Sequence, residues 1–168
     1  MTTKIGVIGG GQLARMMIPP AINLGLGISV LAEVDGSSAA RAADAVGDYR
    51  DPETVYAFAE TVDVITFDHE HVPQEILLEL ERRGVPVHPR PGALQFAQDK
   101  ILMRKKLTEL GVPVPAWAAV ATEEELDAFL AARGGRAVVK TARGGYDGKG
   151  VRVVSSAAEA RDWFTALA

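Results

Sequence analysis

Apolar residues alternate between two rhythms along the first half of this chain. Lys4–Ile8 (K-I-G-V-I), Ile28–Ala32 and Val62–Phe67 are short, nearly continuous apolar runs, as buried strands are. The stretches between them carry helical signals. Glycines 9–11 lead into Gln12-Leu13-Ala14-Arg15-Met16-Met17, so strand, turn and helix open a βαβ unit. Asp51 is an N-cap with Pro52 at the first helical position, predicting a helix to Glu60. Pro73–Arg83 reads as a helix closed by Gly84, and Val85–His88 as a further strand. Pro19 and Pro20 remove two backbone donors from the first helix, so a kink or early break is expected there. Strands separated by helices imply an α/β fold whose parallel sheet is covered on both faces. Ligands bind such sheets at the carboxyl ends of the strands, where the Gly9–Gly11 turn and the segment Asp68–His71 would lie.

The pattern changes at His88-Pro89-Arg90-Pro91-Gly92, where two prolines and a glycine interrupt periodicity. The expected domains are therefore 1–90 and 91–168. Gln98–Leu110 reads as a basic helix with Lys100, Arg104, Lys105 and Lys106, a pattern that equally suits a solvated face. After a Val112-Pro113-Val114-Pro115 connector, Trp117–Val120 reads as a strand. Thr122 with Glu125 and Ser156 with Glu159 form two capping boxes, opening helices to Ala132 and to the last residue.

Between those helices stands the most informative stretch, Val138–Val151: V-V-K-T-A-R-G-G-Y-D-G-K-G-V. Two short strands enclose a loop with Gly144, Gly145, Gly148 and Gly150. Such glycine density permits positive φ and close approach of backbone N–H groups to an anion. Lys140, Arg143 and Lys149 add positive charge, so the fitting ligand is a polyphosphate. An ordinary hairpin turn is the alternative, although one or two glycines suffice for that.

Composition removes several other classes. The chain has 168 residues, 24% charged and 48% hydrophobic, which suits a globular protein with a proper core. A net charge of -4 gives no electrostatic case for nucleic acid or an anionic membrane. No cysteine is present, which excludes a thiolate nucleophile. Met1 leads directly into the first strand, and no apolar run reaches membrane-spanning length, so a soluble cytoplasmic protein is expected. Gly9, Gly11 and Ala14 satisfy G-x-G-x-x-A, with Glu33 at a plausible distance for a ribose acid, which leaves a dinucleotide module open. Asp68-His69-Glu70-His71 invites a metal reading. Strand alternation would split those side chains between two faces, so an acidic rim for a polar substrate fits better, and a solvated strand end also remains open.

Four segments carry a family resemblance. G-G-G-Q-L-A-R-M resembles the G-G-G-Q-L-G-R-M opening of the 5-(carboxyamino)imidazole ribonucleotide synthetases, ATP-grasp ligases of purine biosynthesis. T-F-D-H-E-H-V-P is similar to that family's T-Y-E-F-E-N-V-P, Gln98-Asp99-Lys100 to its Q-D-R helix, and V-V-K-T-A-R-G-G-Y-D-G-K-G to its phosphate loop. The resemblance implies a biotin-carboxylase-like pre-ATP-grasp domain followed by the first α+β subdomain of an ATP-grasp fold. It implies ATP-dependent carboxylation of 5-aminoimidazole ribonucleotide with bicarbonate, through carboxyphosphate. On that resemblance Lys100, Lys140, Gly145, Tyr146, Asp147, Gly148, Lys149, Gly150 and Val151 bind ATP, while Asp147 and Lys149 are catalytic. Gln12, Glu70 and Tyr146 receive the acceptor nucleotide, and the complete enzyme is a homodimer. The family is more than twice as long as this chain. Its Mg²⁺ ligands are expected beyond residue 168, and the chain alone is expected to be inactive. Ala14, Asp68, His71 and Val151 depart from the family's usual residues, and Lys100 stands where arginine is common, which costs bidentate geometry. Another ATP-grasp ligase, such as a formate-dependent glycinamide ribonucleotide transformylase, and a non-catalytic scaffold fragment are the remaining alternatives.

Overall fold

Strands β1 (Lys4–Ile8), β2 (Gly27–Ala32), β3 (Ala43–Val46) and β4 (Val64–Phe67) form a parallel sheet in the order β3-β2-β1-β4. The computed structural model describes residues 2–145 and 148–165, and the chain divides into two units, Met1–Gln95 and Phe96–Ala168. In the first unit, Val7 and Val30 face one side of the sheet, among Ala14, Ala32, Ala39 and Ala42. Ile8, Leu31, Ile65 and Phe67 face the other, among Val55, Phe58, Ile76, Leu77 and Leu80. Two-sided burial is the reason the strands read as continuous apolar runs.

Helix α1 (Gln12–Asn23) covers the first face. Helices α2 (Pro52–Ala59) and α3 (Gln74–Arg82) cover the second. Asp51 caps α2 as its spacing predicts, accepting from the N–H groups of Glu53 and Thr54. Helix α3 buries Ile76, Leu77 and Leu80 along one stripe, and its exposed side is tied by Glu79 to Arg82 and Arg83. Helix α4 (Pro91–Gln98) follows the proline segment, and its Leu94 belongs to the first unit's core. The division after Gln95 thus lies beyond Arg90 because α4 begins by packing backward.

The second unit contains α5 (Lys100–Glu109), α6 (Glu123–Ala132) and the antiparallel hairpin β5 (Ala137–Lys140) with β6 (Val151–Val154). A 3₁₀ turn, Ala157–Ala160, and α7 (Arg161–Thr165) follow. Leu126 and Leu130 of α6 pack on Val154, Ala157 and Ala160, with Ala137 and Val139 partly buried against them. Val138, Val151 and Val153 stay 40–56% exposed. Strand alternation puts them on the opposite face of the hairpin, together with Lys140.

Several elements differ from the sequence expectation. Helix α1 does not break at Pro19 and Pro20; it continues to Asn23, with Ala14 and Ala21 both buried. The carbonyls that lose donors lie beside exposed prolines, where water can serve them. Strand β3 escaped notice because Ala-Asp-Ala-Val carries little apolar signal, and it holds only the sheet's edge. Val85–His88 contributes one bridge, Val87 to Ile65, since Pro86 has no N–H to donate. Trp117–Val120 is in no strand among the described residues, and Val120 packs instead on the α6 cluster. The basic helix begins at Lys100, because Asp99 caps it. The Ser156 segment opens as a 3₁₀ turn, with Glu159 receiving Ser155 N–H and Ser156 Oγ. Asp68–His71 is a turn, so the alternation of faces assumed for it does not apply. No helix among the described residues is long and apolar enough to cross a membrane.

The core makes a direct prediction. Leu77 is 0% exposed at the centre of the larger cluster, and Leu77→Ala should cost about 2–5 kcal/mol in urea unfolding of the first unit's transition. A cost below about 0.5 kcal/mol would place Leu77 outside any close-packed interior.

Candidate functional site

The hairpin loop of the second unit is held from two sides. Its register pairs Lys140 with Val151, and the Thr141 N–H donates to the Gly150 carbonyl at 3.0 Å. That pairing brings the two ends of the glycine-rich segment together. Gly145 (φ 76°) packs against Gly150 so closely that a Cβ on Gly145 would lie 2.7 Å from Gly150 Cα and 2.7 Å from Thr141 Oγ1. A Cβ on Gly150 would overlap Thr141 Oγ1 in turn. Only glycine fits either position. Thr141 Oγ1 is buried and has no hydrogen-bond partner among the described residues.

The start of α5 clamps the other side. Lys100 N–H donates to the Ala142 carbonyl (2.9 Å) and Lys100 Nζ to the Gly144 carbonyl (2.9 Å). Arg143 Nε donates to Asp99 Oδ2 at 3.1 Å, while Asp99 Oδ1 caps α5 through Ile101 and Leu102. The Leu102 N–H leads the interactions that hold the Asp99 carboxyl below the usual aspartate range, and Ile101 and Arg143 add to it. Arg143, read as loose positive charge, is thus a structural tie, and Asp99, singled out only as part of the Gln98-Asp99-Lys100 motif, both caps α5 and anchors that tie. Its signal was present: an acid directly before the first helical residue is an N-cap. Lys140, Lys149 and Val151 are exposed around the loop, with Gly148 at φ 79°. Tyr146 and Asp147 lie outside the described residues.

The rim of the first unit is arranged differently from the sequence expectation. The Gly9 N–H donates to the Leu31 carbonyl (2.9 Å), Gly10 N–H to Glu33 Oε2 (3.0 Å) and Gly11 N–H to Asp68 Oδ2 (2.7 Å). The chain's own carboxylates therefore occupy the amides that a phosphate or pyrophosphate would need. Gly9 adopts φ 103°, and a Cβ there would run into the Asp68 carboxylate. His69 Nε2 lies 3.1 Å from Glu33 Oε1. Burial works to raise the Glu33 pKa, but the Gly10 N–H, its own N–H and His69 outweigh that and hold it below the usual value. Gln12 Oε1 accepts from Ser38 Oγ at 2.9 Å at the start of α1. Glu70 sits in the adjoining turn, half-buried. The described residues contain no group of three or more His, Asp or Glu side chains that could hold a metal ion.

Comparison with known proteins agrees with this division. The model of the ribonucleotide synthetase preATP-grasp domain matches residues 1–98, and that of the ATP-grasp domain residues 105–168. The chain belongs to the ribonucleotide synthetase preATP-grasp family. This preATP-grasp chain is 44% identical over 161 residues to N5-carboxyaminoimidazole ribonucleotide synthase of Mycobacterium bovis, an overlap of 95% of this chain and 38% of that protein. It spans well under half of that relative's length. The carboxyaminoimidazole ribonucleotide synthase of Aspergillus clavatus, solved with ATP, is similar at a TM-score of 0.84 and 30% identity, over 99% of this chain and 44% of that one. The same fungus's N5-carboxyaminoimidazole synthase, solved with ADP and 5-aminoimidazole ribonucleotide, matches at 0.80 and 28%, over 99% and 44%. The expected fold class holds: a parallel-sheet preATP-grasp domain followed by the start of an ATP-grasp domain.

The filled turn has a pH signature. Because Glu33 titrates lower when folded, its contribution is fully present above the ordinary value of 4.5 and disappears as pH falls through the lowered one. Glu33→Gln should remove that part of the acid limb when urea midpoints are compared from about pH 7 to about pH 3. Superimposable acid limbs would show that Glu33 is not held as described.

Proposed function

We propose that this chain is the N-terminal part of an N5-carboxyaminoimidazole ribonucleotide synthase, which uses ATP and bicarbonate to carboxylate 5-aminoimidazole ribonucleotide in purine biosynthesis. The observation that carries the proposal is the hairpin loop. Lys140 and Val151 are paired, Gly145 and Gly150 are in van der Waals contact, and α5 clamps the loop's stem. Relatives of similar fold, 30% and 28% identical, are solved with ATP or with ADP and the aminoimidazole nucleotide.

Phosphoryl transfer demands positioning and neutralisation of phosphate charge more than covalent chemistry by the protein. ATP supplies the phosphoryl group that activates bicarbonate. Lys140 contributes a point charge at the end of β5, and Lys149 a second one on the loop. Gly145, Gly148 and Gly150 offer backbone N–H donors without side chains that would hold a phosphate away, and Val151 adds its backbone N–H beside them. Lys100, whose ammonium holds the Gly144 carbonyl, adds charge from the start of α5. Tyr146 and Asp147 complete the loop, Asp147 orienting or deprotonating the acceptor amine. Gln12 and Glu70 receive the acceptor at the rim of the first unit. Mg²⁺ is part of the proposed reaction, but the described residues offer it no ligand cluster, so the charge neutralisation assigned to this chain is that of its lysines and amides. By resemblance to the family, the complete protein is a cytoplasmic homodimer.

A dinucleotide module in the first unit is the competing reading, and the Glu33 and Asp68 carboxylates on the Gly10 and Gly11 amides oppose it.

The test is ADP release by the complete protein with bicarbonate and 5-aminoimidazole ribonucleotide. Turnover should require all three substrates. Lys140→Ala should lose about 2–4 kcal/mol of transition-state stabilisation, typical of one contact to developing charge. Near-normal turnover in that variant would remove Lys140 from the site. Turnover with a different acceptor in place of the aminoimidazole nucleotide would replace the substrate assignment.

A further inference from the structure

The glycine-rich segment begins with a short bridge between two fixed points. Thr141 N–H is tied to the Gly150 carbonyl, and Gly145 is packed on Gly150. Between them run Ala142, Arg143 and Gly144, which strand pairing does not reach. The start of α5 grips each of the three in turn. Lys100 N–H holds the Ala142 carbonyl, Asp99 Oδ2 the Arg143 guanidinium, and Lys100 Nζ the Gly144 carbonyl. Asp99 and Arg143 are 44 positions apart, as are Lys100 and Gly144, so two neighbours on α5 match two neighbours on the loop.

Asp99 carries more than capping requires. One acceptor atom suffices for an N-cap, and asparagine or serine supplies it about as well as aspartate. Oδ1 does that work alone, accepting from Ile101 N–H at 2.9 Å and Leu102 N–H at 3.0 Å. Oδ2 is left for Arg143 Nε at 3.1 Å. The Asp99 side chain is 14% exposed and that of Arg143 70%. An ion pair this open at one end adds little to stability. What it fixes is position. Ala142 and Gly144 have no side-chain donor, and Gly144 and Gly145 turn the chain at φ 65° and 76°, so Arg143 is the residue whose side chain can tie this limb.

We propose that Asp99 is a positioning residue whose carboxylate joins the start of α5 to Arg143, so that Lys100 and the glycine loop are set together as two walls of one ATP phosphate site. This deepens the ATP reading of the loop and rests on it. Cutting the tie weakens ATP binding while the fold and the acceptor's binding stay as they are.

The test uses the complete protein with two variants. Asp99→Asn keeps a cap acceptor but loses the charge that Arg143 meets, and Arg143→Ala removes the tie with the cap untouched. Hydrogen exchange of the Lys100 amide, read without nucleotide, reports the clasp. Calorimetric titration gives the affinities for ATP and for 5-aminoimidazole ribonucleotide. Each variant should speed Lys100 exchange about threefold and weaken ATP about threefold, the range open to a partly exposed charged pair. Tm and the affinity for the aminoimidazole nucleotide should stay at wild-type values, which a general structural loss would not allow. The double variant should be no worse than either single one, because both cut the same bond. Arg143→Lys, which keeps a charged donor, should restore part of both losses. Wild-type exchange at Lys100 in both variants, equal weakening of both ligands, or additive losses in the double variant would overturn the proposal. The exchange comparison needs no nucleotide, so it decides the tie separately from the ATP reading, which wild-type protein that binds no ATP would end.

Discussion

Backbone amides in a glycine turn bind whatever anion reaches them first, and in this chain the covalent structure decides the matter for one turn of two. Gly10 and Gly11 are bonded to Glu33 and Asp68, side chains delivered by the ends of β2 and β4. Those two strand ends are adjacent to β1 because the sheet order is β3-β2-β1-β4. The topology therefore places both acids beside the first glycine turn, whose spacing resembles a dinucleotide fingerprint. Glycine is required at 9 and 11 because the Asp68 carboxylate occupies the space of a side chain.

For the second turn we propose the opposite outcome. Its stem is fixed by strand pairing and by Asp99 and Lys100 at the start of α5, whose bonds to Arg143, Ala142 and Gly144 use loop carbonyls and one side chain. Two of these contacts use the Ala142 and Gly144 carbonyls as acceptors, and the third uses the Arg143 guanidinium as donor. A polyphosphate needs donors and positive charge, and Lys140 and Lys149 stand beside this loop. On that reading, the two turns differ in which backbone groups the chain satisfies for itself.

Much of this was legible in the residues. The parallel sheet, the Asp51 and Thr122 caps and the Val138–Val151 hairpin followed from periodicity and local chemistry, which act within a few residues. What failed was set by distant partners. Trp117–Val120 has strand-like residues, but a strand exists only where another pairs with it. Pro19 and Pro20 are tolerated because Ala14 and Ala21 pack and the prolines face outward. The filling of the first turn could not be read either. Glu33 suggested a ribose ligand by spacing, and only the fold shows that its carboxylate is bonded to Gly10 instead. Asp99 was readable as a cap, but its tie to Arg143 spans 44 positions.

We propose that ATP phosphate goes to the hairpin loop and not to the first glycine turn. Amide hydrogen exchange on the complete protein, with and without ATP, tests it most directly. Protection should rise across residues 140–151 and stay unchanged across 9–12. Protection that rises at 9–12 while the hairpin exchanges as before would contradict it.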